Sequence, residues 1–125
     1  MMEAVSLDVW PLIDRSHMPQ VDEKLYPNLL VFLGQRGLTF TAGLISPTLL
    51  KLHQEVDPEK AKAIPDIYLS KPILSAWDDF VLDGDHRSYR HFLNGTQVPF
   101  IRVEAEFYTA LKAVLAFPGT YKVAK

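Results

Sequence analysis

Asp83-Gly84-Asp85-His86-Arg87 places two carboxylates, an imidazole, a guanidinium and a glycine in consecutive positions. Phe80-Val81-Leu82 before it is a continuous apolar run of the kind a buried strand carries. After it, Tyr89, Phe92 and Leu93 share one face of a helix that stops at Asn94-Gly95. The elbow therefore falls where a strand hands over to a helix N-terminus, where free backbone N–H groups and the positive end of the helix dipole hold anions. Gly84 has no Cβ, so the backbone turns sharply there and a ligand approaches closely. Arg87 offers a planar fork matched to phosphate oxygens. A carboxylate beside a phosphate repels it unless a cation lies between them or the carboxylate acts on a proton. Asp83 and Asp85 thus suit Mg²⁺ ligation or general-base work. The same spacing also fits a purely structural set, with Asp85 as an N-cap, Arg87 in a surface ion pair and His86 a satisfied imidazole.

The elements that must position the elbow follow from periodicity and turn residues. Ala4 to Val9 alternates apolar and polar side chains as a short edge strand does, and Trp10 to Gln20 is a proline-broken loop carrying Arg15, His17 and Gln20. Asp22 to Arg36 reads as a helix with Asp22 as N-cap, a stripe of Leu25, Leu29, Phe32 and Leu33, and Gly34 and Gly37 at its end. Leu38 to Gln54 is expected as two extended pieces broken at Gly43 and Pro47, and Asp57-Pro58 opens a helix that stops before Pro65. Ile67 to Leu69 and Ile73-Leu74 are β-type runs, with Ala76 to Asp79 a polar turn. Val98 to Val103 is a strand, and Glu104 to Phe117 a helix with Phe107, Leu111, Val114 and Leu115 inward. The fold class is α/β (α+β): a small mixed sheet flanked by helices.

Composition bounds the function. The chain has 125 residues with 48% apolar content, enough for a single domain over residues 1–125 with one core, and 118–125 reads as a tail. Net charge is −2, which lacks the basic footprint of a protein that coats nucleic acid, so DNA is a possible partner that charge does not indicate. Cysteine is absent, which excludes disulfides, thiolate metal sites and cysteine nucleophiles. No basic n-region precedes an apolar run, and no stretch approaches the ~20 apolar residues of a membrane span. The expectation is a soluble protein of a reducing cytoplasm, without a membrane partner.

Leu82-Asp83-Gly84-Asp85-His86-Arg87, with Lys71-Pro72-Ile73 ahead and Gly95-Thr96-Gln97-Val98-Pro99-Phe100-Ile101 behind, resembles the ParB/sulfiredoxin superfamily. Arg15-Ser16-His17-Met18-Pro19-Gln20 and Leu49-Leu50-Lys51-Leu52-His53-Gln54-Glu55, followed by Lys60, are similar to segments of its small bacteriophage ParB-like proteins. The resemblance covers roughly residues 4 to 104 and implies a small α/β fold with a nucleotide phosphate at the elbow. Members include CTP-binding partition clamps, ATP-dependent sulfiredoxins and free-serine kinases, so ATP or CTP is implied without a choice between them. Gly84 matches the family glycine, Arg87 the phosphate-binding arginine, His86 the histidine of the sulfiredoxin and kinase forms, and Asp83 the aspartate of the kinase form. Asp85 stands where sulfiredoxins need cysteine and clamps carry a metal-facing glutamate. That departure argues against sulfinic-acid repair and for Mg²⁺ at Asp85. The partition proteins carry a helix-turn-helix after this module, and its absence here argues against specific DNA clamping.

The leading expectation is a Mg²⁺-dependent phosphotransferase or NTPase of phage origin, in the host cytoplasm, with a nucleotide triphosphate as partner. Gly84, His86 and Arg87 would hold phosphates, Asp85 the metal, and Asp83 or Glu55 would act as base. Arg15 and Gln20 would close the pocket. The alternatives are a non-catalytic phage accessory protein that binds DNA or a host protein, and a ParB-like nuclease.

Overall fold

The computed structural model describes residues 8–9, 19–52 and 56–122. A four-stranded mixed sheet carries the fold: β3 (Phe40–Ile45), β7 (Val98–Val103), β5 (Ile73–Ala76) and β6 (Val81–Asp83) lie side by side in that order. β5 and β6 form an antiparallel hairpin, β5 and β7 run parallel, and β3 lies antiparallel to β7 from Phe40 opposite Val103 to Ile45 opposite Val98. Two two-stranded pairs sit outside the sheet. β1 (Asp8–Val9) runs parallel to β4 (Lys51–Leu52), and β2 (Pro19–Gln20) antiparallel to β8 (Tyr121–Lys122).

Strand side chains alternate between two cores, which is why β5 is buried along its length. Leu74, Ala76, Leu82, Ile101 and Val103 face α1 (Tyr26–Gln35) and α4 (Phe107–Ala116), whose Leu29, Leu33, Ala110 and Val114 complete one core. Ile73, Val81, Val98, Phe100 and Ile45 point to the other face, with Leu50, Leu52 and the partly buried Tyr89 and Phe92 of α3 (Asp85–Asn94). The result is a helix–sheet–helix sandwich of the α+β class. Among the described residues no helix is long and apolar enough to cross a membrane.

Local signals act as their chemistry requires. The Asp22 carboxylate accepts from Lys24 N–H to open a 3₁₀ turn over Glu23–Leu25, and α1 follows with Pro27 in its first turn. The Asp57 carboxylate accepts from Glu59 N–H and opens α2 (Pro58–Lys62).

Several expectations change. Gly43 does not break the chain: β3 runs through it, with the Phe100 ring 3.4 Å from where a Cβ would sit. Ile67 to Leu69 is not extended but lies in a 3₁₀ turn over Asp66–Ser70, because Leu69 O pairs with the His91 ring instead of a strand. α4 begins at Phe107, since Glu106 is its cap and accepts from the N–H groups of Tyr108 and Thr109. Its buried stripe is Phe107, Ala110, Ala113 and Val114, whereas Leu111 and Leu115 are half-buried. The stretch read as a tail contains β8, held by its pairing with β2. Of the first expected strand, Asp8–Val9 is described and is extended, while 4–7 lie outside the described residues.

Candidate functional site

The elbow sits where β6 ends and α3 begins, and its shape comes from Gly84. The backbone there has φ 121° and ψ 26°, a region that side chains rarely enter. A Cβ would also fall 2.4 Å from Ile73 Cγ2. Glycine is thus required by the turn and by Ile73 of the neighbouring strand, so the space beside it is filled by the protein and is not open to a ligand. The Gly84 carbonyl accepts from both Ser88 N–H and Ser88 Oγ–H, each at 2.8 Å, which fixes the first turn of α3. Gly84, the N-cap residue of α3, has no side chain with which to bond the opening amides of the helix.

Asp83 is buried and both carboxylate oxygens are engaged. Oδ1 accepts from Arg87 Nη2 at 3.4 Å, Oδ2 accepts from Val21 N–H at 3.3 Å, and Lys71 Nζ stands 4.0 Å from Oδ2. Arg87 also donates through Nη1 to the carbonyls of Lys71 and Pro72, at 2.8 and 3.2 Å. The Tyr26 hydroxyl donates to the same Pro72 carbonyl at 2.8 Å. Burial, reinforced by the Asp83 charge, pushes the Tyr26 phenol well above its ordinary value. Burial pulls the Lys71 ammonium down, against the opposing pull of Asp83. The guanidinium expected to grip phosphate is therefore turned into the fold, where it joins α3 to the start of β5. With both oxygens bonded, Asp83 is a tie between segments and not a base facing a substrate.

The remaining expected residues divide into three groups. His86 Nε2 accepts from Asp57 N–H at 3.3 Å, so that nitrogen carries no proton and the ring joins the starts of α2 and α3. Asp85 is 4% exposed, on the inward side of the helix with Ser88 and His91. This polar stripe lies beside the expected Tyr89, Phe92 and Leu93 face, of which Tyr89 and Phe92 pack half-buried against the second core. Gln20 is half-buried in β2, next to Val21, and Arg15 and Glu55 lie outside the described residues, as does His17.

The Mg²⁺ expectation rests on Asp85. Among the described residues there is no group of three or more His, Cys, Asp or Glu that could hold a metal ion. Since Asp83 is engaged by cations of the protein, the elbow supplies one carboxylate, which fits Mg²⁺ only where substrate phosphates complete its shell.

Two residues absent from the sequence-based site belong to it: Lys71 and Tyr26. Lys71 was visible just before Pro72-Ile73. Tyr26 lies inside the stretch that reads as a helix from Asp22, and its hydroxyl partner is 46 residues away. A cleft of about 270 Å³, lined by Ser46, Thr48, Phe92, Thr96 and Gln97 among others, lies at the opposite end of α3 and does not reach the elbow. Compared with known proteins, the chain matches no family model, no curated protein and no solved structure.

Proposed function

We propose that the chain is a nucleotide-binding protein of the ParB/sulfiredoxin kind, of phage origin, acting as a Mg²⁺-dependent phosphotransferase or NTPase at the start of α3. One observation carries this reading: Val21 N–H bonds to Asp83 and Asp57 N–H bonds to His86. The segments expected to wall the pocket, 10–18 with Arg15 and 53–55 with Glu55, thus lead directly to residues tied to the elbow. The amides of Asp85, His86 and Arg87 are the phosphate seat, with the His86 ring beside them. Asp85 would hold Mg²⁺, which supplies neutralisation of phosphate charge. Glu55 is the remaining candidate base. Asp83 and Arg87 position the elbow, and Lys71 is the additional cation near it. The nucleotide, ATP or CTP, enters this proposal through the motif resemblance.

Calorimetry with each nucleoside triphosphate, with and without Mg²⁺, tests it. Binding should strengthen with Mg²⁺ and weaken about tenfold in His86→Ala, the loss of one charge-assisted contact. Absence of heat with every nucleotide would discard the proposal.

A second reading has its own support. Arg87 and Gly84 are fully engaged by Lys71, Pro72, Asp83 and Ile73. Such an elbow serves as a folding joint in a non-catalytic accessory protein that binds DNA or a host protein elsewhere on its surface. Gel-shift and host pull-down assays on a chain that ignores nucleotides would separate this reading from the first.

A further inference from the structure

Among the described residues β3 occupies the outer edge of the sheet, bonded to β7 on one side only. Its residues Phe40 to Leu44 are exposed, and the strand is six residues long and pairs with β7 without a register shift. Such an edge presents a row of backbone donors and acceptors ready for another strand, and folded proteins normally blunt it with lysine, proline, an inward charge or a bulge. None of these lies between Phe40 and Ile45, and the sequence from Gly37 to Leu50 contains no charged residue. The chemistry of the missing neighbour is therefore a β-strand.

The pattern of the strand says which one. Phe40, Ala42 and Leu44 stand opposite Val103, Ile101 and Pro99, so they share the α1/α4 face of the sheet. Phe40 is 42% and Leu44 64% exposed. The order large–small–large is symmetric about Ala42. An antiparallel copy related by a twofold axis through Ala42 sets each Phe40 opposite the other Leu44, Ala42 opposite itself and Thr41 opposite Gly43. Every side chain stays on its own face, because paired positions share parity. An isologous contact brings the residues nearest its axis close to their own images, where a charge would meet its like, and β3 itself carries none, the nearest being the Glu104 carboxylate bonded to Thr41.

We propose that two copies of the chain pair antiparallel through β3, centred on Ala42, and join their sheets into one of eight strands. The contact is small, so it operates as a concentration-dependent monomer–dimer equilibrium. It is independent of whether the elbow holds a nucleotide.

The chain has no cysteine, so a single introduced thiol reports one position. Directly opposed residues in an antiparallel pair have Cα atoms about 4.5–5.5 Å apart, within disulfide reach. Ala42→Cys under mild oxidation should give a covalent dimer several-fold faster than Val31→Cys, a control on α1 at a residue that is likewise exposed, at 62%. Adding Leu44→Lys should return Ala42→Cys to the control rate. Without cysteine, Leu44→Lys should raise the dimer dissociation constant in sedimentation equilibrium by about tenfold or more, with an unchanged circular dichroism spectrum. Thr41→Lys serves as a second edge charge if Leu44→Lys does not fold. A chain that is monomeric at every concentration overturns the proposal. So does Ala42→Cys crosslinking no faster than Val31→Cys, or a dimer indifferent to both edge charges.

Discussion

The elbow and the β3 edge reverse the usual relation between residue type and burial. Asp83 and Asp85 are each 4% exposed, while Leu44 is 64% exposed. Pairing accounts for the first case. Asp83 lies inside because Val21 N–H, Lys71 and Arg87 replace the water it gives up. Position accounts for the second. β3 contributes no buried residue to the core beneath α1 and α4, so Phe40 and Leu44 lie on a sheet face beyond that core. Polar character marks a joint at the elbow, and apolar character marks an unfinished surface at β3.

The strongest way to break this comparison is to substitute the two glycines of α3. Gly84→Ala meets both a backbone region side chains rarely enter and Ile73, and should cost about 3–4 kcal/mol in urea unfolding, the sum of positive-φ strain and overpacking. Gly95→Ala at the other end has φ 70° and nothing within 4 Å of a new Cβ, so only strain remains, about 1 kcal/mol. Equal losses would mean that Ile73 yields and the elbow is not closed.

Arg87→Ala should follow, at about 3 kcal/mol, because it takes the guanidinium from the buried Asp83 carboxylate, removes the donor to the Lys71 carbonyl and leaves the Pro72 carbonyl to Tyr26 alone. Arg87→Lys should recover part of this in the same unfolding measurement, since one ammonium cannot reproduce the fork. A fully stable Arg87→Ala chain would return the guanidinium to the role of a surface phosphate ligand.

The smallest effects separate the two regions by pH. The Tyr26 phenol is raised above its ordinary 10.0 in the folded chain. Above that pH the unfolded chain loses a proton which the folded chain retains, so stability falls as pH rises through the alkaline range. Tyr26→Phe should remove that decline, at a cost of about 1 kcal/mol at neutral pH from the lost bond to Pro72. At β3 the sign is opposite. Hydrogen bonds from Thr39 and Thr41 hold the Glu104 carboxyl below its ordinary 4.5. Its contribution is present above that pH and fades as pH falls below it. Replacing both threonines by valine should flatten this acidic limb in pH-dependent melting, while leaving the alkaline one unchanged.

Much of this arrangement is legible along the chain wherever a signal is local. Asp22 and Asp57 read as caps because a carboxylate needs only the amide two residues on. Gly84 reads as a strand-to-helix bend for the same reason. Ile67 to Leu69 misled, since its apolar run fits a strand and its 3₁₀ turn depends on distant His91 and Arg90. Arg90 holds the carbonyls of Lys62 and Ile64 and the Asp66 carboxylate of the segment leading into that turn. The inward face of α3 is legible in part. Periodicity favours Tyr89, Phe92 and Leu93, of which Tyr89 and Phe92 pack on the core, but the helix also buries Asp85, Ser88 and His91, where His91 bonds to Thr96 and to Leu69 O.

By itself the sequence determined most of the element types, the caps, the glycine at the bend and the class of fold, because each depends on forces acting within a few residues. Only the tertiary structure decided that Arg87 faces Lys71 and Pro72 and that Asp83 joins Val21. It also decided that β3 ends the sheet with its apolar side chains outward. Partners 15 or 62 residues apart in sequence meet only after the strands have chosen their order, and that choice fixes which polar groups are compensated inside and which surface is left open.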